Sequence, residues 1–470
     1  MITEKYGRYK GHAMFSGKND FVKRMVKSQL DNQLNVESEV YDVLSRDMER
    51  KLEPIIKKAA NYAERENRNT ILAADVVKSI NYHSGKTAPR VLIAHVTAGA
   101  GHTRAAEAIA KAYRNLYPDA NVKLVDTLDY INSVYKKVYN NTYLALVKHT
   151  PKLWGYIYER YDNDEEGQRL SDKFRQTLET LQASDFRDFL DDFSPDVVIC
   201  THFLPMQLIS RWKKKRKSSL PLYAVVTDFA LHMFWIVEEI DGYFVGNDNV
   251  KRELLTRGAK AKNIYQTGIP VDPVFATLPL QSEMRDKLGV DRELPTVLVM
   301  SGGYGVGDVT SLINSFKSVK TKMQLLIVCG RNEELQQQVN QIALGLPVES
   351  KVYGFVNNIH ELMRASDLII TKPGGLSSSE SLAANCPMMI INPIPGQEQR
   401  NSDYLLEQGA ATILHQLADG AYYVEKLLND KERLAHMIQR TRAIGNKDAA
   451  MDISRKVTEL AKLEHIHSES

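Results

Sequence analysis

The sequence predicts an α/β protein in which two Rossmann-like domains face each other across a cleft, preceded by an all-helical region. Three observations support this fold class: a helical, glycine-poor start, an alternation of strands and helices from Pro89 onwards, and an internal repeat of strand, glycine loop and helix. With 470 residues the chain is long enough for several cores. We therefore predict domains at residues 1–86, 87–272 and 273–470.

The composition is that of an ordinary globular protein. Hydrophobic residues make up 43% and charged residues 25% of the chain, and a net charge of +3 gives no general reason to expect nucleic acid. Cys200, Cys329 and Cys386 lie far apart, which indicates buried thiols in a reducing compartment rather than a disulfide framework or a metal cluster. The N-terminal residues lack the apolar core of a signal peptide, and no apolar run approaches the ~18 residues of a membrane span. We expect a cytoplasmic protein that meets a membrane only from the side.

The first 86 residues have a helical pattern. Between residues 36 and 63 apolar side chains recur every three or four positions, which predicts one long amphipathic helix with a kink at Pro54. A shorter helix is predicted over residues 20–30 and another over 73–80, followed by a linker.

Two α/β halves follow, and each contains the same two pieces. Residues 89–113 and 295–316 both have a strand, a glycine-rich loop and a helix, and "DVVICTHF" is matched later by "DLIITKPGG". The halves join near "GIPVDPVF". We expect the last helix, around residues 448–464, to cross back to the first half.

The first glycine loop, "TAGAGHTRAAEA", ends a strand and opens a helix. Backbone N–H groups there can approach an anion, although a tight turn would have the same glycines. His102 lies at the carboxyl end of the strand, where open sheets place ligands, and its side chain suits a base at neutral pH. A histidine that only caps the helix is the alternative.

The second glycine loop, "SGGYGVGDV", also follows a strand. Gly302, Gly303 and Gly305 can offer backbone donors to a diphosphate, whereas a plain flexible loop would not need so many glycines.

The stretch "TKPGGLSSSE" predicts a nucleoside-diphosphate site. Gly374 and Gly375 let the backbone approach phosphate oxygens, and Ser377 adds a hydroxyl near the start of a helix. Glu380, one to two turns further, could accept both hydroxyls of a ribose. A capping serine cluster with a solvated glutamate is the structural alternative.

One strand later, the loop "NPIPGQEQRN" carries further polar groups. Gln397, Glu398 and Asn401 are predicted to hydrogen-bond the hydroxyls of a hexose, while Gln399 and Arg400 are compatible with an ordinary surface.

At this point the chain resembles a known family. Between about residues 88 and 460 it is similar to the monogalactosyldiacylglycerol synthases and processive diacylglycerol glucosyltransferases of the GT-B class, with the cell-wall lipid-linked N-acetylglucosaminyltransferases as more distant relatives. The stretch 351–408 is specific for nucleotide-sugar transfer. The matching segments are "GAGHTRAAEA", "VTDFALHMFW", "GIPVDPVF", "SGGYGVGD", "YGFVNNIHELMRASDLIITKPGGLSSSESLA" and "PIPGQEQRNSDYLL".

The resemblance implies a UDP-sugar donor held mainly by the C-terminal domain, an acceptor at the N-terminal domain, inversion at the anomeric carbon, and no required metal or cofactor. It adds Arg331, Phe355 and Val356 to the UDP-sugar site. Ala98 and Ala100 depart from the family, because they interrupt its usual run of glycines before the histidine.

The acceptor side is predicted at the end of the strand before "TDFALHMFW". Asp228 would orient His102 or an acceptor hydroxyl, or would cap a turn. We also assign Gly101 and Trp235 to the acceptor side, with core packing of Trp235 as the alternative.

An anionic membrane surface is a predicted partner. Residues 135–161 mix tyrosines, leucines, lysines and a tryptophan, as interfacial helices do, and Tyr143 and Trp154 would enter the headgroup layer. The basic run "RWKKKRK", with Lys213 and Lys214, would meet anionic lipid on the inner leaflet, unless it is only a solvated face.

Residues 1–86 resemble a single-chain histone fold of the archaeal or bacterial kind. Arg68, Asn69 and Thr70 stand where that family contacts DNA, and Asp75 stands where it has a structural acid. The region has sixteen Lys and Arg against twelve Asp and Glu, which supports DNA binding only weakly. The resemblance therefore favours a homodimer.

Taken together, the sequence predicts an enzyme that moves a hexose from a UDP-sugar to diacylglycerol or a related membrane lipid, with His102 as the base. A UDP-GlcNAc-dependent transferase that acts on a lipid-linked envelope precursor is the near alternative. A histone-fold DNA-binding protein with a sensory or inactive transferase domain is the alternative from another class.

Deletion of residues 1–86 should convert a dimer into a folded monomer. A long helix with a continuous apolar stripe cannot bury both sides against two short helices, and pairing between chains solves that problem. Light scattering of the full-length and shortened proteins measures the change. A monomeric full-length protein would contradict the prediction.

Overall fold

The computed structural model describes residues 88–97, 100–131, 184–301, 309–461 and Leu463. The predictions for residues 1–86 and 135–161 lie outside these ranges. Pro89–Leu463 form one compact unit, and we refer to residues 89–272 and 273–463 of it as the first and second half. Within the described ranges, no helix combines the length and apolar character that crossing a membrane requires.

The first half is built on a six-stranded parallel sheet with the strand order β2-β1-β3-β4-β5-β6. Its central strands are short apolar runs, such as "VVIC" in β3, that are buried on both faces, as expected for a parallel sheet covered by helices. The strands are β1 Arg90–His95, β2 Asn121–Asp126, β3 Val197–Cys200, β4 Leu222–Val225, β5 Gly242–Val245 and β6 Ile264–Gln266.

Four described helices connect these strands. The last of them begins at an asparagine cap, because the Asn247 side chain accepts the backbone N–H of Val250 at 2.9 Å. The first is rich in alanine, and because its buried alanines are small, neighbouring elements can pack closely against this helix. The helices are α1 Ala100–Leu116, α2 Ser184–Phe193, α3 Phe203–Arg216 and α4 Asp248–Thr256.

The second half repeats the architecture with the strand order β12-β11-β10-β7-β8-β9. Counted from its own first strand this is 3-2-1-4-5-6 read from β9, the order of a dinucleotide-binding fold. The strands are β7 Thr296–Met300, β8 Gln324–Val328, β9 Glu349–Tyr353, β10 Leu368–Thr371, β11 Met388–Ile391 and β12 Ala411–Leu414.

Except for the last one, the helices of the second half pack on its sheet and at its rim. Side-chain caps start two of them, where Asn332 accepts the N–H of Leu335 at 2.9 Å and Asp430 accepts that of Arg433 at 3.0 Å. The described helices are α5 Gln281–Leu288, α6 Val309–Ser315, α7 Glu333–Ala343, α8 Ile359–Ala365, α9 Gly375–Ala383, α10 Gln397–Glu407, α11 Gly420–Asn429, α12 Lys431–Ile444 and α13 Ala449–Leu460.

In each sheet the strand order reverses at one point, and the predicted motifs lie at these two points. In the first sheet this point lies between β1 and β3, and His102 follows β1 while Thr201 follows β3. In the second sheet it lies between β7 and β10, and Gly374 follows β10. Open α/β sheets bind ligands at such crevices beyond the carboxyl ends of their strands.

The last helix returns to the first half, as the sequence predicted. Ile453 and Val457 of α13 are fully buried in one cluster with Ile109 of α1 and Phe244 of β5. The helix thereby fastens the end of the chain to the first sheet.

The two halves touch directly at the start of α9. A Cβ atom placed on Gly375 would lie 2.0 Å from the carbonyl oxygen of Thr227 in the first half, so no larger residue fits there. Nearby, the rings of Phe229 and Tyr404 stack with centroids 4.8 Å apart. The cleft is therefore closed at this edge by backbone contact and by apolar packing.

Gly375→Ala should hold the cleft open, because its methyl group would overlap the Thr227 carbonyl. Hydrogen exchange of the Phe229 amide, which donates to Asn401 across the cleft at 2.8 Å, should become faster. Gly374→Ala is the matched control, since a Cβ there meets no atom within 4 Å. Equal exchange in the two variants would show that the contact does not hold the halves together.

Candidate active site

His102 is held in one tautomer at the start of α1. Its Nδ1 lies 2.8 Å from the carbonyl oxygen of Thr201, and the Thr201 hydroxyl donates to the His102 carbonyl at 2.9 Å. A carbonyl can only accept, so Nδ1 carries the hydrogen and Nε2 keeps its lone pair. The Thr227 hydroxyl oxygen lies 2.9 Å from the same Nδ1. The ring is thus fixed with its basic nitrogen available.

Two further histidines surround this ring. His202 meets His102 edge-on, with centroids 4.6 Å apart, and its Nδ1 accepts the N–H of Leu204 at 3.0 Å. His95 lies 3.3 Å from the Thr103 hydroxyl through its Nδ1. Burial lowers the pKa of His95 and of His202, so both rings are neutral at neutral pH. Burial also lowers the pKa of His102, and the Asp228 charge opposes that change.

Asp228 is the buried carboxylate of the cleft. Its Oδ1 accepts the Asn401 amide at 3.0 Å and its Oδ2 accepts the Gln397 amide, both from the second half. Burial raises the pKa of Asp228, whereas the His102 charge and these amides oppose that rise. Asp228 acts on His102 through its charge, while Nδ1 of the ring donates its hydrogen bond to the Thr201 carbonyl.

Asn401 has a different position from the one the sequence predicted. The residue is completely buried, and its Oδ1 accepts the backbone N–H of Phe229 at 2.8 Å while its Nδ2 binds Asp228. The predicted contact of Asn401 with a hexose is corrected by this arrangement, because the side chain bridges the two halves instead.

Gln397 and Glu398 remain half-buried at the first turn of α10. The Gln397 amide donates to Asp228, and one Glu398 oxygen accepts the backbone N–H of Ile394 at 2.8 Å. Burial raises the pKa of Glu398, and Lys372 partly offsets this. Both side chains face the edge at which the two halves meet.

Glu380 is buried inside α9 with only one of its oxygens in a hydrogen bond or ion pair. Oε1 lies 2.5 Å from Nη2 of Arg104, a residue of the first half. Oε2 is buried and has no hydrogen-bond partner among the residues that the structure describes. A buried carboxylate oxygen without a partner is costly, so this atom is suited to receive a donor from a ligand.

The start of α9 has no side-chain cap. Gly374 precedes the helix without a capping hydrogen bond, and the Ser379 hydroxyl donates to the Gly375 carbonyl at 2.8 Å. The first backbone N–H groups of a helix have no partner within it and favour an anion. Ser377 is half-buried beside them. This end of the helix can receive a phosphate group.

Arg331 and Phe355 form a separate pair near the carboxyl ends of β8 and β9. The guanidinium lies 4.7 Å from the centroid of the Phe355 ring, which is 54% exposed. Val356 packs against the core beneath. The pair presents a flat surface to solvent, which suits a planar ring.

The remaining predicted residues differ in outcome. Gly101 lies in the first turn of α1 and is half-buried. The predictions for Gly302, Gly303, Gly305, Tyr143 and Trp154 concern residues that lie outside the described ranges.

The acceptor or membrane roles predicted for Trp235 and Lys213 are wrong. Trp235 is 3% exposed in the core of the first half, and its carbonyl accepts the Tyr243 hydroxyl at 2.9 Å. Lys213 is buried, with Nζ 2.6 Å from Asp241. Lys214 is exposed, but it pairs with Glu238 at 2.5 Å.

Sequence reasoning did not single out Arg104, Thr201 or His202. Thr201 and His202 directly follow an apolar strand in "DVVICTHF", and that position at a strand end was the available signal. Arg104 carried no such signal, because its partner Glu380 comes from the other half.

Three family models match parts of the chain. Residues 102–271 match the model described as monogalactosyldiacylglycerol (MGDG) synthase, and residues 281–444 match the one described as glycosyl transferases group 1. Residues 20–80 match the model described as histone-like transcription factor (CBF/NF-Y) and archaeal histone.

Individual proteins match over most of their length. A processive diacylglycerol beta-glucosyltransferase of Bacillus cytotoxicus is 31% identical over 377 residues, which cover 78% of this chain and 92% of that protein. The protein of the same name from Bacillus thuringiensis is 30% identical over 390 residues, which cover 81% and 96%. Among solved structures, Acinetobacter baumannii MurG has a TM-score of 0.51 at 12% identity and covers 79% of this chain and 99% of its own. The last likeness concerns the fold alone.

Asp228→Asn should lower the pKa of His102 further. The wild-type pKa is predicted to lie below the ordinary value of about 6.5, because burial outweighs the Asp228 charge. Removal of that charge leaves only the Thr201 carbonyl, of the two groups that raise the pKa of His102, to favour the protonated ring. NMR titration of the histidine resonances measures both values, with the exposed Asp286→Asn as control. An unchanged pKa in Asp228→Asn would contradict the electrostatic coupling.

Proposed function

The chain belongs to the family of processive diacylglycerol beta-glucosyltransferases, and we propose that it transfers a hexose from a UDP-sugar to diacylglycerol or a related membrane lipid. The family resemblance and the two Rossmann-like domains of the GT-B class expected from the motifs are confirmed. The protein is accordingly a glycosyltransferase, and its donor, acceptor and stereochemistry are the subject of the proposal.

Thr227 is the residue on which the proposal rests, because it connects His102 to the start of helix α9. The Thr227 hydroxyl lies 2.9 Å from His102 Nδ1, and the Thr227 carbonyl lies against Gly375 at the start of α9. The base of the first half is therefore held beside the anion-binding end of a helix from the second half. A transferase needs this arrangement, in which the acceptor hydroxyl is activated next to the leaving phosphate.

The donor would be bound by the second half. The free N–H groups at the start of α9 and the Ser377 hydroxyl would receive the diphosphate, and Oε2 of Glu380 would accept a ribose hydroxyl. Gln397 and Glu398 lie at the neighbouring strand end and would contact the hexose. These fixed dipoles stabilise the negative charge that develops on UDP, so the scheme requires no metal or cofactor.

The transfer would then proceed in one displacement. Nε2 of His102 takes the proton of the acceptor hydroxyl, and the oxygen attacks the anomeric carbon. The bond from that carbon to the diphosphate oxygen breaks, and UDP leaves with the electron pair. Attack from the side opposite the leaving group inverts the configuration.

Contact with the inner leaflet of the membrane is part of the proposal. The basic run 211–217 contributes less charge than its composition suggested, because Lys213, Lys214 and Arg216 each pair with an acidic side chain. For residues 1–86 we propose homodimerisation, supported by the histone-like match of residues 20–80.

A pair of variants should separate chemistry from donor binding. His102→Ala should reduce UDP release in the presence of diacylglycerol vesicles by roughly 10²–10⁴-fold while UDP affinity is kept. Glu380→Ala should weaken UDP binding by about 1.5–3 kcal/mol, the value of a hydrogen bond to a charged group. Calorimetry and a UDP-release assay with a panel of UDP-sugars measure the two effects.

Glu459→Ala serves as the control, because this exposed glutamate pairs with Lys456 within α13. Near wild-type turnover of His102→Ala would make the histidine a structural cap. Absence of UDP release with every sugar and lipid tested would contradict the proposed function.

A further inference from the structure

Helix α1 reaches across the cleft with an arginine that the predicted site did not include. Arg104 stands two residues after His102, and its Nη2 lies 2.5 Å from Oε1 of Glu380 in α9. The same helix makes a second ion pair further along, where Lys111 Nζ lies 2.8 Å from Asp272. Arg104 differs from Lys111 because its partner is a buried carboxylate of the candidate donor site.

The pair is asymmetric in its burial. The Glu380 side chain is 3% exposed and the Arg104 side chain is 42% exposed. Arg104 occupies one oxygen of Glu380, while Oε2 is buried without a hydrogen-bond partner among the described residues. One oxygen is anchored and the other is left for a different donor.

We propose that Arg104 is a positioning residue for donor binding, which holds Oε1 of Glu380 so that Oε2 accepts a hydroxyl of the sugar nucleotide. The inference rests on the proposed function, since it assigns a task to a residue of the first half in a site made by the second. Arg104 does not touch the reacting atoms.

The charge of Arg104 supports this role. Burial raises the pKa of Glu380 and the Asp272 charge adds to the rise, whereas the guanidinium of Arg104 opposes it. An ionised carboxylate accepts a hydroxyl hydrogen more strongly than a protonated one. Without the arginine, the carboxyl would hold its proton up to a higher pH, and its orientation would no longer be fixed.

The position of Arg104 also links the base His102 to the donor carboxylate Glu380. It lies in the same turn of α1 as His102, so a closed cleft brings the base and the support of the donor carboxylate into place together.

The test is a calorimetric titration of the full-length protein with UDP at a series of pH values from about pH 5, just above the ordinary pKa of a glutamate, up to about pH 8.5. Arg104→Gln should weaken UDP binding roughly 10-fold at neutral pH, equivalent to about 1.4 kcal/mol. The loss should be larger at the acidic end and shrink as the pH rises, because Glu380 regains its charge. Arg104→Lys should recover most of the affinity.

Two controls isolate the mechanism. Arg455→Gln removes the exposed ion pair with Asp452 in α13 and should leave UDP affinity unchanged. In a Glu380→Gln background, Arg104→Gln should cause no further loss, because the two residues act through one hydrogen bond. Melting curves of all variants identify any that fail to fold, and Arg104→Lys keeps the test informative if Arg104→Gln is among them.

Unchanged UDP affinity of folded Arg104→Gln at every pH would reduce the contact to a structural salt bridge and overturn the inference. Tighter UDP binding would also overturn it, since Arg104 would then compete with the donor for Glu380. Either result leaves the proposed function intact. If the wild-type protein binds no UDP, the proposed function fails and the inference falls with it.

Discussion

The approach of helix α9 to the carbonyl of Thr227 is the contact on which the rest of the site depends. A side chain at Gly375 would collide with that oxygen, so the two halves can meet there only over a glycine. Thr227 also contacts the His102 ring, and the next residue, Asp228, is bound by amides of the second half. One backbone contact thus determines where the base, the buried acid and the anion-binding helix end lie relative to one another.

Asp228 and Glu380 tolerate burial in this cleft because each has partners from the opposite half. Asp228 of the first half is bound by Asn401 and Gln397, and Glu380 of the second half is paired with Arg104. A buried charge without a partner is costly, so these pairs favour the closed arrangement. Oε2 of Glu380 is an exception, and the proposed donor would satisfy it.

The strand ends could be predicted from the sequence because apolar runs there stop at glycines and polar residues, which identified His102 and Glu380 within their motifs. The partners of these residues could not be predicted in the same way. Whether Asn401 meets a ligand or Asp228 depends on how closely the halves approach. The burial of Trp235 and Lys213 could not be predicted for a related reason, because it depends on how the neighbouring helices and loops pack around each side chain.

In the proposed reaction, His102 activates the acceptor hydroxyl for a single displacement at the anomeric carbon. Both oxygens of Asp228 are engaged by amides, which leaves this carboxylate unsuited to form a covalent intermediate with the sugar. The most direct measurement is therefore the anomeric configuration of the first glycolipid formed from an α-linked UDP-hexose, determined by proton NMR. A single displacement gives a β-linked product, and an α-linked product would contradict the proposed reaction.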